Sequence, residues 1–369
     1  MQKLTHDDLR NIAHGATFLG SGGGGTLSSA LDMIEANFPV SDSVEMVTVE
    51  EAAEDDVGLT VVCSFIGSQT EGKAVTNVDA VHHALEEFGE VLKSTTDKPI
   101  RRVVPLELGV QSSVIPTLLV AHQDGYSVVD ADGAGRAVMM LPLTSYAAAG
   151  LSAAPAVVAS GTTTQVVVEE KDTLLFNQIA DGICTAGVYG GVAGVALWAM
   201  DGPTLLRAVK ARGTLDLSRQ IGQALQPGKN PVDDVLGVLD KSGLWAKVIF
   251  EGKMQPVISL KTDYNFASIN NPRTNVNALV LTSGESTVVY SDDRTRPIAL
   301  GPDSICWLTP DGRTFSNTEL PPPGTDVILV GIGARDFLCT DKMLFGFHYF
   351  QKRVGYGGGY APIQELHDT

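Results

Sequence analysis

Residues 102–136, RVVPLELGVQSSVIPTLLVAHQDGYSVVDADGAGR, decide the fold of this chain. An apolar run that ends at Leu108 gives way, after Gly109, to apolar residues at helical spacing across Gln111–Gln123. A second apolar run, Tyr126–Ala131, follows Gly125. Strand, helix and strand within about 30 residues make a βαβ unit, whose two strands lie parallel because the helix carries the chain back across the sheet.

The alternation continues outward from this unit. Val44–Val49 and Leu59–Ile66 read as strands and Val78–Leu92 as a helix. The segment Val61-Val62-Cys63-Ser64-Phe65-Ile66 is apolar with almost no alternation, as expected of a strand covered on both faces. Thr5 followed by Asp8 reads as a capping box, and Leu9, Ile12, Ala13 and Ala16 mark one face of a first helix. Leu27, Ala30, Leu31 and Ile34 mark a second helix after the glycine run Gly22–Gly25.

Downstream, residues 146–163 are rich in small side chains and read as a close-packed helix or a connector. A strand (Gln165–Glu169), a helix (Thr173–Ala186), a strand (Val192–Met200) and helices over 203–241 follow. From Trp245 the pattern changes to short strands separated by turn residues, including Ala246–Phe250, Val257–Leu260, Ala278–Leu281, Thr287–Tyr290, Ile305–Leu308 and Val327–Val330, as in a small barrel or sandwich. The expected class is α/β. An N-terminal domain over 1–165 holds a largely parallel sheet with helices on both faces. A C-terminal α+β domain over 166–369 is helical at first and β-rich from about 245.

A chain of 369 residues exceeds the size at which one hydrophobic core stops growing, which is why two domains are expected. Its 26 Lys and Arg against 43 Asp and Glu leave a net charge of -17, a field that repels nucleic-acid phosphates and anionic lipid. The polar start Met1–Asp8 lacks the apolar stretch of a signal peptide, and no apolar run approaches the roughly 20 residues of a membrane span. The four cysteines, Cys63, Cys184, Cys306 and Cys339, are widely spaced and fit a reducing, cytoplasmic compartment.

Three features bear chemistry. In Asp130-Ala131-Asp132-Gly133-Ala134-Gly135-Arg136 an apolar strand delivers two carboxylates, spaced to share one side, and the glycines let Arg136 turn back toward them. In open α/β sheets ligands bind at the carboxyl ends of strands, and Glu107 stands at an equivalent strand end. Gly22, Gly23, Gly24 and Gly25 open onto a helix start, where free amides can cradle a carboxylate or an oxyanion, with His14 one turn earlier. The run Gly20–Gly25 spells a dinucleotide fingerprint but follows a helix instead of a strand, so no nucleotide cofactor is expected. Cys63, inside an apolar strand, is either a buried inert thiol or a nucleophile.

These residues resemble a known family. Leu4-Thr5 with Asp8-Leu9, Gly15-Ala16, Phe18–Gly25, Glu107-Leu108-Gly109 with Ser112 and Pro116, and above all Asp130–Gly133 with Gly135-Arg136-Ala137 are similar to the S-methyl-thiohydantoin desulfurases. Pro302-Asp303 with Ile305 and the closing Gly355-Tyr356 match later landmarks. The resemblance implies an N-terminal α/β and a C-terminal β-rich domain, and hydrolysis at a five-membered imidazolidine-type ring with release of methanethiol. It also implies association with hydantoinase- or oxoprolinase-type enzymes. Where the family continues Gly-Arg-Ala with Phe-Pro-Glu, this chain has Val138-Met139-Met140.

The expected activity is therefore hydrolysis of a cyclic amide or amidine-like ring, with Asp130 or Asp132 as acid and base and Cys63 or water as nucleophile. Arg136 and the glycine-loop amides would hold negative charge, and Glu107 completes the site. Two alternatives stand beside it. One is a metal-dependent version in which Glu107, Asp130 and Asp132 hold a hard divalent cation. The other is a non-catalytic subunit or ligand-binding regulator, pairing with a hydantoinase-like partner or with its own copies.

Overall fold

A computed structural model of the chain describes residues 1–55, 57–67, 77–226, 230–256, 258–259 and 264–367. In chain order the first strands are β1 (Gln2–Thr5), β2 (Ser43–Val47), β3 (Leu59–Gly67), β4 (Ile100–Pro105), β5 (Ser127–Val129), β6 (Ala131–Asp132), β7 (Ala156–Ala159), β8 (Gln165–Val168), β9 (Val192–Met200) and β10 (Ala211–Arg212). A single sheet runs β1-β2-β5-β4-β3-β9-β7-β8, and β6 pairs separately with β10.

The centre of that sheet, β2-β5-β4-β3, is parallel, as the βαβ spacing requires. Both flanks are antiparallel: β1 on β2 at one side, and β9, β7 and β8 beyond β3 at the other. The sheet is thus mixed. Helices cover both faces, and alternate residues of β3 show it. Val61, Cys63 and Phe65 pack with the helices His6–Leu19, Leu27–Asn37, Asp79–Leu92 and Ile115–Asp124, whereas Val62 and Ile66 pack with Thr173–Cys184 and Gly202–Ala208.

The boundary at 165 does not coincide with the edge of this sheet. β8 straddles it, and β9, far beyond it in sequence, inserts between β3 and β7. A fully apolar strand such as β9 needs cover on both faces, and the middle of the first sheet supplies it. β7 lies in the small-residue stretch at 146–163: Ala156, Val157, Val158 and Ala159 are all buried, in a segment whose alanines give little local preference for a strand.

The remaining strands are β11 (Ala246–Met254), β12 (Ile258–Ser259), β13 (Tyr264–Asn271), β14 (Val276–Ser283), β15 (Glu285–Ser291), β16 (Ala299–Leu300), β17 (Ser304–Leu308) and β18 (Asp326–Ile332). They form one antiparallel sheet, β16-β15-β14-β13-β11-β18-β17, with β12 on β13, and its hydrogen-bonded path is open. β13 escapes the apolar pattern because Asn265, Ala267, Ser268, Asn270 and Asn271 interrupt its apolar residues. Val257 and Leu260, the ends of one expected strand, lie outside the described residues.

The first helix closes as its sequence dictates. Thr5 accepts from the Asp8 amide and Asp8 accepts from the Thr5 amide, a reciprocal cap worth about 1 kcal/mol. The helix packs on Thr214–Ala224 so closely that a Cβ at Gly15 would lie 1.8 Å from the Ser218 carbonyl oxygen. Its end delivers the glycine turn to the junction of the two sheets.

Candidate active site

β4 ends at Pro105, and the chain bends through Leu106–Leu108 before the helical turn Val110–Val114. Glu107 therefore leaves the strand and buries its side chain. Its Oε1 accepts from the Ser112 hydroxyl at 2.8 Å and its Oε2 from the Val138 amide at 2.6 Å. Burial pushes its carboxyl up to about 7 against the pull of those two donors.

The glycine turn meets this carboxylate from the other side. Gly22 and Gly24 have φ of 83° and 80°, where a side chain is strained, and a Cβ at Gly24 would come 2.1 Å from Gly109 Cα. The Gly24 carbonyl accepts from the Gln111 and Ser112 amides, fixing the turn against the residues that hold Glu107. Among the described residues the amides of Gly22, Gly24 and Gly25 make no hydrogen bond, which leaves donors for a ligand.

The second sheet contributes the group that sequence reasoning did not reach. Glu285, first residue of β15, lies against Gly23 so closely that a Cβ there would meet Glu285 Oε1 at 2.5 Å. Burial, then the charge of Glu107, pushes the Glu285 carboxyl up to about 8, and its Oε2 is buried without a hydrogen-bond partner among the described residues. A lone glutamate heading an apolar strand after Gly284 was the available signal. Nothing local connects it to Glu107.

The two segments are tied together by backbone. The Ser286 amide donates to the Ser21 carbonyl, and the Asn317 amide donates to the Gly22 carbonyl. Asn317 Nδ2 donates to the Gly284 carbonyl at 2.9 Å, while its Oδ1 accepts from Trp307 Nε1 at 3.0 Å. Gly284 is exposed and Gly24, Val138 and Met139 are half-buried, so this side of the acid pair reaches the surface.

Arg136 is the compensating cation. It is 2 % exposed; its Nη1 donates to the carbonyls of Pro302 at 2.6 Å and Asp303 at 3.0 Å, and its Cζ lies 5.4 Å from the Phe347 ring centroid. Among the described residues it forms no ion pair at contact distance, yet its charge acts on Glu285, Asp303 and Glu107 together. Asp303 in turn accepts from the Ala334 and Ile363 amides and the Tyr360 hydroxyl, so the second domain holds the carbonyls that grip Arg136.

The paired aspartates do something else. β5 stops at Val129 and the chain bends at Asp130, so the alternation that would set Asp130 and Asp132 side by side is broken. Asp130 Oδ1 accepts from the Leu215 and Asp216 amides at 2.9 and 3.1 Å, capping the helix Thr214–Ala224. Asp132 Oδ1 accepts from the Ala134 and Gly135 amides at 2.6 and 2.7 Å, which shapes the turn leading to Arg136. Its Oδ2 is buried, with the Thr214 hydroxyl near but forming no hydrogen bond of good geometry. Burial pushes both carboxyls up to about 6.

Cys63 is not equipped as a nucleophile. It is fully buried, its Sγ lies 3.6 Å from Thr117 Oγ1, and desolvation pushes its thiol up to about 12, so no useful thiolate forms near neutral pH. His14 likewise stands apart: its ring is hydrogen-bonded to none of these groups, and burial, then Arg10, lowers its pKa. Glu107, Asp130 and Asp132 face three different sets of partners, and among the described residues no group of three or more His, Cys, Asp or Glu is placed to hold a metal ion. A common metal site on these three does not fit. No helix among the described residues is long and apolar enough to cross a membrane.

A cleft of about 620 Å³ lies at the amino ends of β4 and β5, against Glu45, Arg101, Arg102, Tyr126 and Ser127. Glu107 instead lies past the carboxyl end of β4, where α/β sheets place their sites.

Fold and site together define a two-domain protein, α/β then antiparallel β, with a buried pair of glutamates and an arginine at the junction. The chain matches the S-Me-THD-like N-terminal domain over residues 7–170 and the S-Me-THD-like C-terminal domain over 171–355, and it belongs to that family, the S-methyl-thiohydantoin desulfurases. A crystal structure of a protein from Chromobacterium violaceum, a structural-genomics target, is similar to it throughout: 28% identity, 98% of this chain and 100% of that one covered, TM-score 0.86. No curated protein matches the chain.

Proposed function

We propose that the chain is a hydrolase of a small five-membered imidazolidine-type ring, an S-methyl thiohydantoin or a close relative, and that Glu107 and Glu285 divide the proton work. The observation that carries this reading is a pair of buried carboxyls beside one glycine turn, Glu285 against Gly23 and Glu107 beside Gly109 where Gly24 packs. Burial raises them to about 8 and about 7, just above and at neutral pH. Such a pair shares roughly one proton, so one member can act as base while the other acts as acid.

Ionised Glu107 takes a proton from water as its oxygen bonds to the ring carbon bearing sulfur. The tetrahedral adduct's negative charge lies toward the free amides of Gly22, Gly24 and Gly25 and the field of Arg136. The C–S bond then breaks and protonated Glu285 supplies the proton that leaves with the thiol. The proton of the added hydroxyl passes to the ring nitrogen, giving the ring carbonyl and methanethiol, and the proton held by Glu107 returns to Glu285. Of the water's two protons, one thus ends on the ring and one replaces the proton carried off by the thiol. Each oriented donor of that kind is typically worth about 3 kcal/mol of barrier.

The test is to incubate the purified protein with a panel of S-methyl thiohydantoins bearing different ring substituents and to follow thiol release with a chromogenic disulfide. Release that depends on both glutamates is expected. Absence of thiol release, with the ring intact by mass spectrometry across the panel, overturns the reading.

A further inference from the structure

Asn317 lies between the second sheet and the glycine turn, and its surroundings allow its amide a single orientation. Trp307 Nε1 can only donate, and it donates to Asn317 Oδ1 at 3.0 Å; the Ser286 hydroxyl donates to the same oxygen at 3.1 Å. The Gly284 carbonyl can only accept, and Asn317 Nδ2 donates to it at 2.9 Å. On the first-domain side the Asn317 backbone amide donates to the Gly22 carbonyl. The side chain fills the place that a Cβ at Gly22 would need, 2.5 Å from both Nδ2 and Oδ1. Asn317, Trp307 and Ser286 are all buried, so each of these bonds is costly to leave unmade.

One side chain thus holds the residues on either side of Glu285 and, at the same time, the turn that Glu285 lies against. The Glu285 carboxyl has no hydrogen-bond partner on Oε2 among the described residues, so its neighbours along the chain set its place. We infer that Asn317 is a positioning residue, whose amide clamps the Gly284–Ser286 backbone to the glycine turn and so keeps the Glu285 carboxyl buried beside it. The inference rests on the hydrolase reading for what this placement achieves, but the placement exists without substrate. Burial is what raises the Glu285 carboxyl, so a segment released from the turn admits water and lowers it, while Glu107 and Arg136, the charges that act on it, stay in place.

The experiment follows the glutamate carboxyl carbons of the intact, labelled protein by ¹³C NMR through a pH titration without substrate, with Glu285 assigned by its loss in Glu285→Gln. In Asn317→Ala the Glu285 midpoint should fall by about one pH unit or more, because hydration favours the ionised form. Ser286→Ala, which removes one donor to Oδ1, should shift it less, and Ile269→Val, a core change on β13, should not shift it at all. With the methylthio ring substrate, Asn317→Ala should lower kcat roughly tenfold or more by misplacing the acid. An unchanged Glu285 midpoint in folded Asn317→Ala, or in Ser286→Ala should the first variant not fold, overturns the inference. A shifted midpoint in a protein that releases no thiol counts against the hydrolase reading alone and leaves the clamp standing.

Discussion

Two pairs of buried carboxyls sit within one junction, and burial raises all four. Asp130 and Asp132 each satisfy an oxygen with two backbone amides, and each amide pair belongs to a turn or helix start that the carboxylate shapes. Glu107 has two donors as well, but Glu285 has none on Oε2, and Glu107 and Glu285 act on each other. Desolvation alone therefore does not separate an architectural carboxyl from a chemical one. Nor does an unpartnered oxygen, since among the described residues Asp132 Oδ2 lacks a hydrogen bond as Glu285 Oε2 does. What separates them is that Asp130 and Asp132 each fix a helix start or turn through two backbone amides, whereas Glu285 lies against the glycine turn.

The largest effect expected concerns the cation that both glutamates share. Arg136→Met leaves Glu107, Glu285 and Asp303 without compensation and should cost about 3–5 kcal/mol, read as a fall in the denaturant midpoint, with turnover abolished. A stable, active Arg136→Met would show that the glutamates are neutral throughout and would dissolve the contrast between the pairs.

Glu107→Gln and Glu285→Gln each keep shape and remove one proton carrier, so kcat should fall by roughly 10² or more while the fold stays intact. Their pH dependence sharpens the point. Both groups hold their protons more tightly folded than unfolded, so the folded state is penalised as pH rises from about 4.5 through about 7 for Glu107 and about 8 for Glu285. Thermal melts of the wild type should lose stability across that window, and Glu285→Gln should flatten the loss. A parallel decline in the variant would remove Glu285 from the titrating pair.

Asp130→Ala deletes a helix cap and nothing else. It should cost about 1–2 kcal/mol and leave kcat within about threefold. A hundredfold loss of turnover with little loss of stability would return the paired aspartates to the chemistry. Smallest of all, Cys63→Ala should change kcat by less than about twofold and stability by about 1 kcal/mol, since the thiol is a packed core group.

Much of the first domain is written locally. Helix starts at Thr5 and Thr26, the two-faced apolar run of β3 and the βαβ unit through residue 129 all follow from spacing and capping, which act within a few residues. Glu107, Arg136 and the glycine turn were also legible, because strand ends and glycines with unusual backbone angles advertise where a chain approaches itself. The pairing of Asp130 with Asp132 was misleading: a period of two holds only while the strand continues, and it stops at Val129.

By itself, then, the sequence determined the kinds of element, the change from alternating helices and strands to strands alone, and a handful of residues with no reason to be buried unless they are used. Only the tertiary structure decided that β9 enters the first sheet, that Glu285 lies beside Gly23 and acts on Glu107, and that the Pro302 and Asp303 carbonyls hold Arg136. The reason is separation along the chain. Glu107 and Glu285 are joined by no hydrogen-bonding pattern or periodicity that a local reading can follow, and their mutual charge exists only after two cores have buried both in the same low-dielectric junction.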